Sequence, residues 1–196
     1  MRVKQRLGQL LANRQKRHVV DASRQSSAVL VPIYIRQGQY HLLFIKRTET
    51  VREHKGQISF PGGTQEKGDK TLLDTALREC AEEIGLRPED AKILGELDDE
   101  VTSTSNYIVS PFVAVIPWPY QFKVSKEEVK EIIEVPVSAL LDKNSLRQRA
   151  ELLSGKIIDS YEYHYQEKVI WGATARILNR FLEIFTHAMQ DSQKAH

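Results

Sequence analysis

Three glutamates, Glu79, Glu82 and Glu83, fall within five consecutive positions of the stretch RECAEEIGL (78–86), directly after Arg78 and just ahead of Gly85. Carboxylates this close raise one another's cost of ionisation. From Thr71 to Ile84 the residues Leu73, Ala76, Leu77, Cys80 and Ile84 recur at three- and four-residue intervals, which predicts a helix with one buried face, closed by Gly85. At about 100° per residue, positions 79, 82 and 83 span roughly one third of the helix circumference, opposite the apolar stripe. The expectation is three carboxylates on one exposed face. By themselves they amount to a solvated acidic face balanced by Arg78 and Lys70. What argues for a site lies upstream, where Pro61, Gly62 and Gly63 form a tight turn able to bring a backbone carbonyl to the carboxylates. Oxygen donors alone suit Mg²⁺ or Mn²⁺ rather than Zn²⁺. A hard cation beside a cleft points to phosphate chemistry.

The elements that must position these groups follow from pattern. Residues 28–36 and 41–47 are β-rich runs joined by Gln37, Gly38 and Gln39, a hairpin. Residues 57–63 read as a short strand stopped by Pro61 and two glycines, and 91–98, 108–118 and 130–136 as further strands. A short helix at 136–141 carries its proline in the first turn. A polar loop follows, then a last strand or hairpin at 160–172 and an amphipathic helix at 173–185. This order predicts an α/β protein of the α+β type, a mixed β-sheet sandwiched between α-helices.

Composition narrows the class. A chain of 196 residues, 41% hydrophobic and 28% charged, reads as one soluble globular domain. Its net charge of +2, from 28 basic and 26 acidic residues, is too balanced to argue for nucleic acid. Cys80 is the only cysteine, so no intramolecular disulfide forms and a reducing compartment fits. No apolar run approaches the roughly 20 residues that span a bilayer, and the expectation is a cytoplasmic protein without a membrane partner. The first twenty residues hold no acid and place Val3, Leu7, Leu10 and Leu11 at helical spacing. Such a helix can be an organellar address, lie on a membrane or dock on its own domain, and docking is the expectation. The chain therefore divides into a basic amphipathic helix (1–24), a main domain (25–188) and a polar tail (189–196).

Residues 62–86, GGTQEKGDKTLLDTALRECAEEIGL, closely resemble the Nudix box, and Arg78-Glu79-x-x-Glu82-Glu83-x-Gly85 matches its second half in full. The first half departs. Asp69 stands where most of the superfamily has Glu, and eight residues separate it from Arg78, one more than usual. Both departures resemble the coenzyme A diphosphatase branch, as does the upstream run 46–63 with Arg47, Arg52, His54, Gly56 and the Phe-Pro-Gly-Gly turn. Residues 107–117, 127–141 and 170–178 are similar to later landmarks of that branch. LFIKRT (43–48) departs from its usual start, and LDDEVTSTSNY (97–107) is more acidic than its usual sequence.

The resemblance implies a Nudix fold and a Mg²⁺- or Mn²⁺-dependent hydrolase that cuts the diphosphate of coenzyme A, or its thioesters, to 3′,5′-ADP and a 4′-phosphopantetheine product. In such a site the cation neutralises charge on the diphosphate and activates and orients water. It implies Glu79 and Glu83 as direct ligands, Glu82 as a further ligand and the Gly63 carbonyl completing the shell, with the box glutamates also serving catalysis. Arg78 then holds a catalytic glutamate in its rotamer. Asp69 either contacts the metal through water or caps the helix. Cys80, on the buried stripe, belongs to the core. The general base is a box glutamate or an acid of the 125–131 run, where Glu128 is better placed than Glu127. Arg47, Arg52, His54 and Lys55 form a basic cluster able to hold the diphosphate and 3′-phosphate, and Trp171 and Tyr107 are either base-stacking or core aromatics. The expected partner is this small molecule, and a homodimer is left open. Two other readings stand: hydrolysis of another compound, such as ADP-ribose, NADH, a dinucleotide polyphosphate or a nucleoside triphosphate, or nucleotide sensing without cleavage.

Overall fold

The computed structural model describes residues 3–49, 56–102, 105–153 and 156–194. Helix α1 (Val3–Asn13) precedes a long hairpin, β1 (Gln25–Arg36) and β2 (Gln39–Arg47). Two short strands, β3 (Ile58–Ser59) and β4 (Gly62–Thr64), lead into α2 (Leu72–Ile84). Then come β5 (Lys92–Glu96), β6 (Glu100–Val101), β7 (Tyr107–Val115), β8 (Val129–Pro136) and the short helix α3 (Val137–Leu140). The chain ends in β9 (Leu146–Leu153), β10 (Lys156–Tyr165), β11 (Lys168–Ile170) and α4 (Gly172–Lys194).

The main sheet is mixed. β1 runs parallel to β7 over Gln25–Ile33 and antiparallel to β2 and β4, while β2 also pairs with β3 and β8. Both faces of the central hairpin are apolar and alternate cleanly. Val31, Ile33, Leu42 and Phe44 pack toward α1 and α4, and Ala28, Leu30, Leu43 and Ile45 pack toward α2. Period-two alternation with both faces covered is what a central strand requires. The mixed sheet between helices is therefore as expected.

Two elements differ from the sequence reading. The segment after α3 is not a polar loop. Residues 146–153 form β9, paired along its length with β10, and β11 completes a separate three-stranded antiparallel sheet. The last helix also runs on to Lys194, across residues set apart above as a tail. Ser192 is buried there, and Asp191 accepts from Arg6 Nε at 2.8 Å, tying the end of α4 to α1.

The acid-free N-terminus finds its counter-charge in this same chain. Arg14 Nη2 lies 2.5 Å from Asp98 Oδ1, and Lys16 Nζ lies 2.6 Å from Glu96 and 3.0 Å from Asp99. Leu7 and Leu11 are buried, so α1 docks by its apolar face while the segment behind it is clasped by the acidic run 96–100. No helix among the described residues is long and apolar enough to cross a membrane.

Asp99 is the centre of that clasp. It is buried and accepts from Ser110 Oγ at 2.6 Å and from the Val19 N–H at 3.0 Å. Burial pushes its pKa up, but those hydrogen bonds and Lys16 outweigh burial and hold it below the usual carboxylate range. A depressed carboxylate stabilises fully above its unfolded pKa and loses that contribution on acidification. Asp99→Ala strands Ser110 Oγ and the Val19 N–H and leaves Lys16 with Glu96 alone, and its expected cost is about 3 kcal/mol at neutral pH. Urea unfolding measures the loss, which shrinks below about pH 4, and hydrogen exchange should accelerate first at residues 14–19.

Candidate active site

Helix α2 is locked at both ends by its own sequence. Thr71 is the N-cap, its hydroxyl accepting from Asp74 N–H while the Asp74 carboxylate accepts from Thr71 N–H, a complete capping box. Gly85 ends the helix in the left-handed conformation. Against this helix lies β4. Gly62 has φ +151°, and a Cβ there would collide with the Ala28 carbonyl of β1. A Cβ on Gly63 would fall inside the Glu79 carboxylate. The two glycines thus let a strand edge lie directly on the acidic side of α2.

That contact overturns the expectation of three carboxylates on one exposed face. Glu83 is buried, with its side chain only 1% exposed, and Glu79 is 15% exposed; Glu82 alone faces solvent, at 54%. Glu83 Oε2 accepts from Gly62 N–H at 2.9 Å and Oε1 from Arg47 Nη1 at 3.2 Å. Helical spacing places the three residues on one side, but strand β4 covers part of that side.

Arg78 joins the surrounding parts. Its Nε and Nη2 donate to the two Asp69 oxygens at 3.1 Å each, and Nη2 also donates to the Thr64 carbonyl at 3.0 Å. Its Nη1 stands 3.0 Å from both Glu79 Oε1 and Glu82 Oε2. Asp69 is therefore not the helix cap. Its carboxylate also accepts from Thr75 Oγ1 and the Glu66 N–H, both at 2.9 Å, so it serves as the buttress of Arg78. The hydrogen bonds from Arg78 are the main reason its pKa is held down to about 2.

The opposite holds for Glu79 and Glu83. Burial raises both, Glu83 to about 8; Arg47 and the Gly62 N–H only partly offset this for Glu83, and the charges of Glu79 and Glu128 push it further up. Glu128 arrives through a loop bound to the end of α2: the Ser125 N–H donates to the Glu83 carbonyl and the Thr48 N–H to the Glu128 carbonyl, each at 2.9 Å. Glu127 is exposed. Cys80 is fully buried, and burial followed by the charges of Glu83 and Glu79 drives its thiol pKa well up, as a core residue requires.

The donor set fits a hard divalent cation in its chemistry. It consists of oxygens only, in a half-buried place where mutually repelling carboxylates meet a glycine backbone that no side chain crowds. The carboxylates are turned onto Arg78 and Arg47 instead, and among the described residues no three acids, histidines or cysteines are gathered into a ligand cluster. Arg47 stands beside the carboxylates, paired with Glu83. Arg52, His54 and Lys55 lie outside the described residues.

A cleft opens beside the glycine turn. It is lined by Arg47, Gly62 and Gly63, by Val29 and Val109 of the sheet, and by Trp171 and Thr174 at the start of α4. Trp171 is 46% exposed, and Tyr107 also lines the cleft, so neither is simply core. Ser105 and Thr174 carry no sequence signal of their own; only the fold brings residues so far apart in the chain to the glycine turn.

A domain model described as the NUDIX domain matches residues 24–169. The chain belongs to the Nudix family. A relative described as an uncharacterized Nudix hydrolase, NudL, from Photorhabdus laumondii is 36% identical over 157 residues, covering 80% of this chain and 83% of its own. The corresponding Enterobacter protein is 35% identical over 170 residues, covering 87% and 86%. Among solved structures, a MutT/nudix family protein from Enterococcus faecalis superposes with a TM-score of 0.57 at 14% identity, covering 88% of this chain and 64% of that one. The Nudix domain of Shewanella oneidensis NrtR, solved with ADP ribose, gives 0.50 at 18%, covering 68% and 84%. At these identities the structures carry the fold alone. Helix α1 and all of α4 lie outside the matched Nudix residues, and they pack on each other.

In this Nudix box Asp69→Asn removes the charge that holds Arg78. The expected cost is about 1.5–3 kcal/mol at pH 7 by urea unfolding. Because the native carboxyl titrates below an unfolded aspartate, the difference between the two proteins is full above about pH 4 and closes as pH falls toward 2.

Proposed function

We propose that this Nudix hydrolase is a divalent-metal-dependent pyrophosphatase of coenzyme A or its thioesters. The observation that carries the reaction type is the buried Glu83 and half-buried Glu79, pressed against Gly62 and Gly63 with more acidic than basic side chains around them among the described residues. The coenzyme A assignment draws support from the Asp69 spacing and the upstream run 46–63.

In this reading Glu79, Glu82, Glu83 and the Gly63 carbonyl hold Mg²⁺ or Mn²⁺, with Glu83 exchanging its contact to Arg47. The bound cation supplies charge neutralisation on the diphosphate and a lowered pKa for the attacking water. Arg78 is a positioning residue that fixes the Glu79 carboxylate while Asp69 fixes Arg78. Glu128 takes the proton from water as its oxygen attacks one phosphorus. The bond from that phosphorus to the bridging oxygen breaks, and the bridging oxygen leaves with the other phosphate. Arg47, released from Glu83, turns its guanidinium to the diphosphate, and Arg52, His54 and Lys55 meet the 3′-phosphate.

The test incubates the protein with coenzyme A, ADP-ribose, NADH, diadenosine polyphosphates and nucleoside triphosphates, with Mg²⁺, Mn²⁺ or EDTA, and identifies products by mass. Coenzyme A should show the highest kcat/KM, yield 3′,5′-ADP and phosphopantetheine, and fall to background with EDTA. Glu83→Gln should lower kcat by about 100-fold or more and Arg78→Gln by about 10- to 100-fold, both with native circular dichroism. A better diphosphate than coenzyme A defeats the substrate assignment, and an unchanged rate in Glu83→Gln defeats the metal assignment.

A further inference from the structure

We infer that the cleft between the glycine turn and α4 receives the uncharged, amide-bearing arm of the substrate, and that Trp171 and Ser105 are its specificity-determining walls. The inference rests on the coenzyme A reading above and deepens it.

Charge decides which half of the substrate fits. Arg47 is the only charged residue among the described residues that line the cleft, and its guanidinium stands 3.2 Å from Glu83 of α2, where the diphosphate belongs. The rest of the lining is neutral: Val29, Val109, Ile177, Trp171, and the hydroxyls of Ser105 and Thr174. A nucleoside half bearing a 3′-phosphate would carry about two further negative charges into this space and, among the described residues lining it, meet no cation besides Arg47. The first turn of α4 offers only about half an elementary charge, well short of a dianion. An extended neutral chain avoids that desolvation cost.

Polar satisfaction points the same way. Ser105 Oγ is fully enclosed and has no hydrogen-bond partner, and Arg47 Nε is in the same condition. An unpaired buried polar atom costs about 1–3 kcal/mol, and the great majority of such atoms are paired in native proteins. A chain of amides supplies a donor or acceptor to the Ser105 hydroxyl, while a phosphate oxygen supplies an acceptor to Arg47. Trp171 is large, apolar and 46% exposed at the cleft. Such an exposed ring beside neutral hydroxyls suits an aliphatic amide chain laid along its face.

Calorimetric titration of wild type, Trp171→Ala and Thr174→Gln with 4′-phosphopantetheine and with 3′,5′-ADP tests this, alongside steady-state kinetics on coenzyme A. The expected result is phosphopantetheine affinity weakened by about tenfold in Trp171→Ala, which loses the wall, and in Thr174→Gln, which narrows the cleft. KM for coenzyme A rises comparably, kcat stays within about threefold, and 3′,5′-ADP affinity stays within about twofold. Thr174→Gln keeps the tryptophan, so it decides the matter if Trp171→Ala does not fold. Weakened 3′,5′-ADP with unchanged phosphopantetheine would give the cleft to the nucleoside and overturn the inference, as would no change in either. Wild type that does not cleave coenzyme A defeats the reading beneath it. Wild type that cleaves coenzyme A while both variants bind phosphopantetheine normally defeats the inference alone.

Discussion

The arrangement depends on a carboxylate buried where a carboxylate is expensive. An isolated ionised group inside a protein costs several kcal/mol after relaxation, and Glu83 offsets only part of that cost, with one backbone N–H and one guanidinium. The N–H belongs to Gly62, which reaches the helix only because β4 pairs with β1 at Val29 and because neither Gly62 nor Gly63 carries a side chain. The guanidinium belongs to Arg47, at the end of β2 where its pairing with β8 shifts register. A central strand, an edge strand and a helix are thus held in one relation by the needs of a single side chain.

Arg78 supplies the second fixed point, and only arginine fits it. Its planar fork spends separate donors on the loop before α2 through Asp69, on β4 through the Thr64 carbonyl, and on α2 itself through Glu79 and Glu82. A lysine offers three donors on a rotating point charge and could not reach all of these at once. The extra residue between Asp69 and Arg78 is consistent with this division of labour. Thr71 caps the helix, and Asp69, free of that task, reaches along the first turns to Thr75 and Arg78.

What was legible in the sequence was what local periodicity controls. The hairpin, α2 with Gly85 at its end, and the run of later strands follow from alternation or from three- and four-residue spacing, and the box glutamates follow from their own density. The burial of Glu83 was not legible, because it depends on a strand arriving from elsewhere. β9 was missed for a related reason: LRQRAELL lacks the apolar run of a central strand and pairs along its length only with β10, in a small separate sheet. The end of α4 from residue 189 read as a tail because Gln190, Asp191 and Ser192 look solvated, yet Asp191 is spent on Arg6 and Ser192 is buried. The unusual acidity of 97–100 was visible as a departure from the branch pattern. Its explanation required the fold, which sets Arg14 and Lys16 against it.

The two acidic clusters also separate structure from chemistry. Asp99 is buried, yet hydroxyl, amide and ammonium donors surround it so completely that its pKa falls below the ordinary range, and its charge stabilises the fold. Glu83 is at least as buried and has donors on both oxygens, yet its pKa rises, because burial and the charges of Glu79 and Glu128 outweigh what Gly62 and Arg47 provide. Composition does not distinguish the two: LDDE (97–100) and ECAEE (79–83) each hold three acids. The difference lies in how much positive charge the fold directs at each. Where the chain supplies enough, the acids are part of its architecture. Where it supplies less, and holds the acids together regardless with two glycines and an arginine, burial lifts the carboxylate's pKa instead.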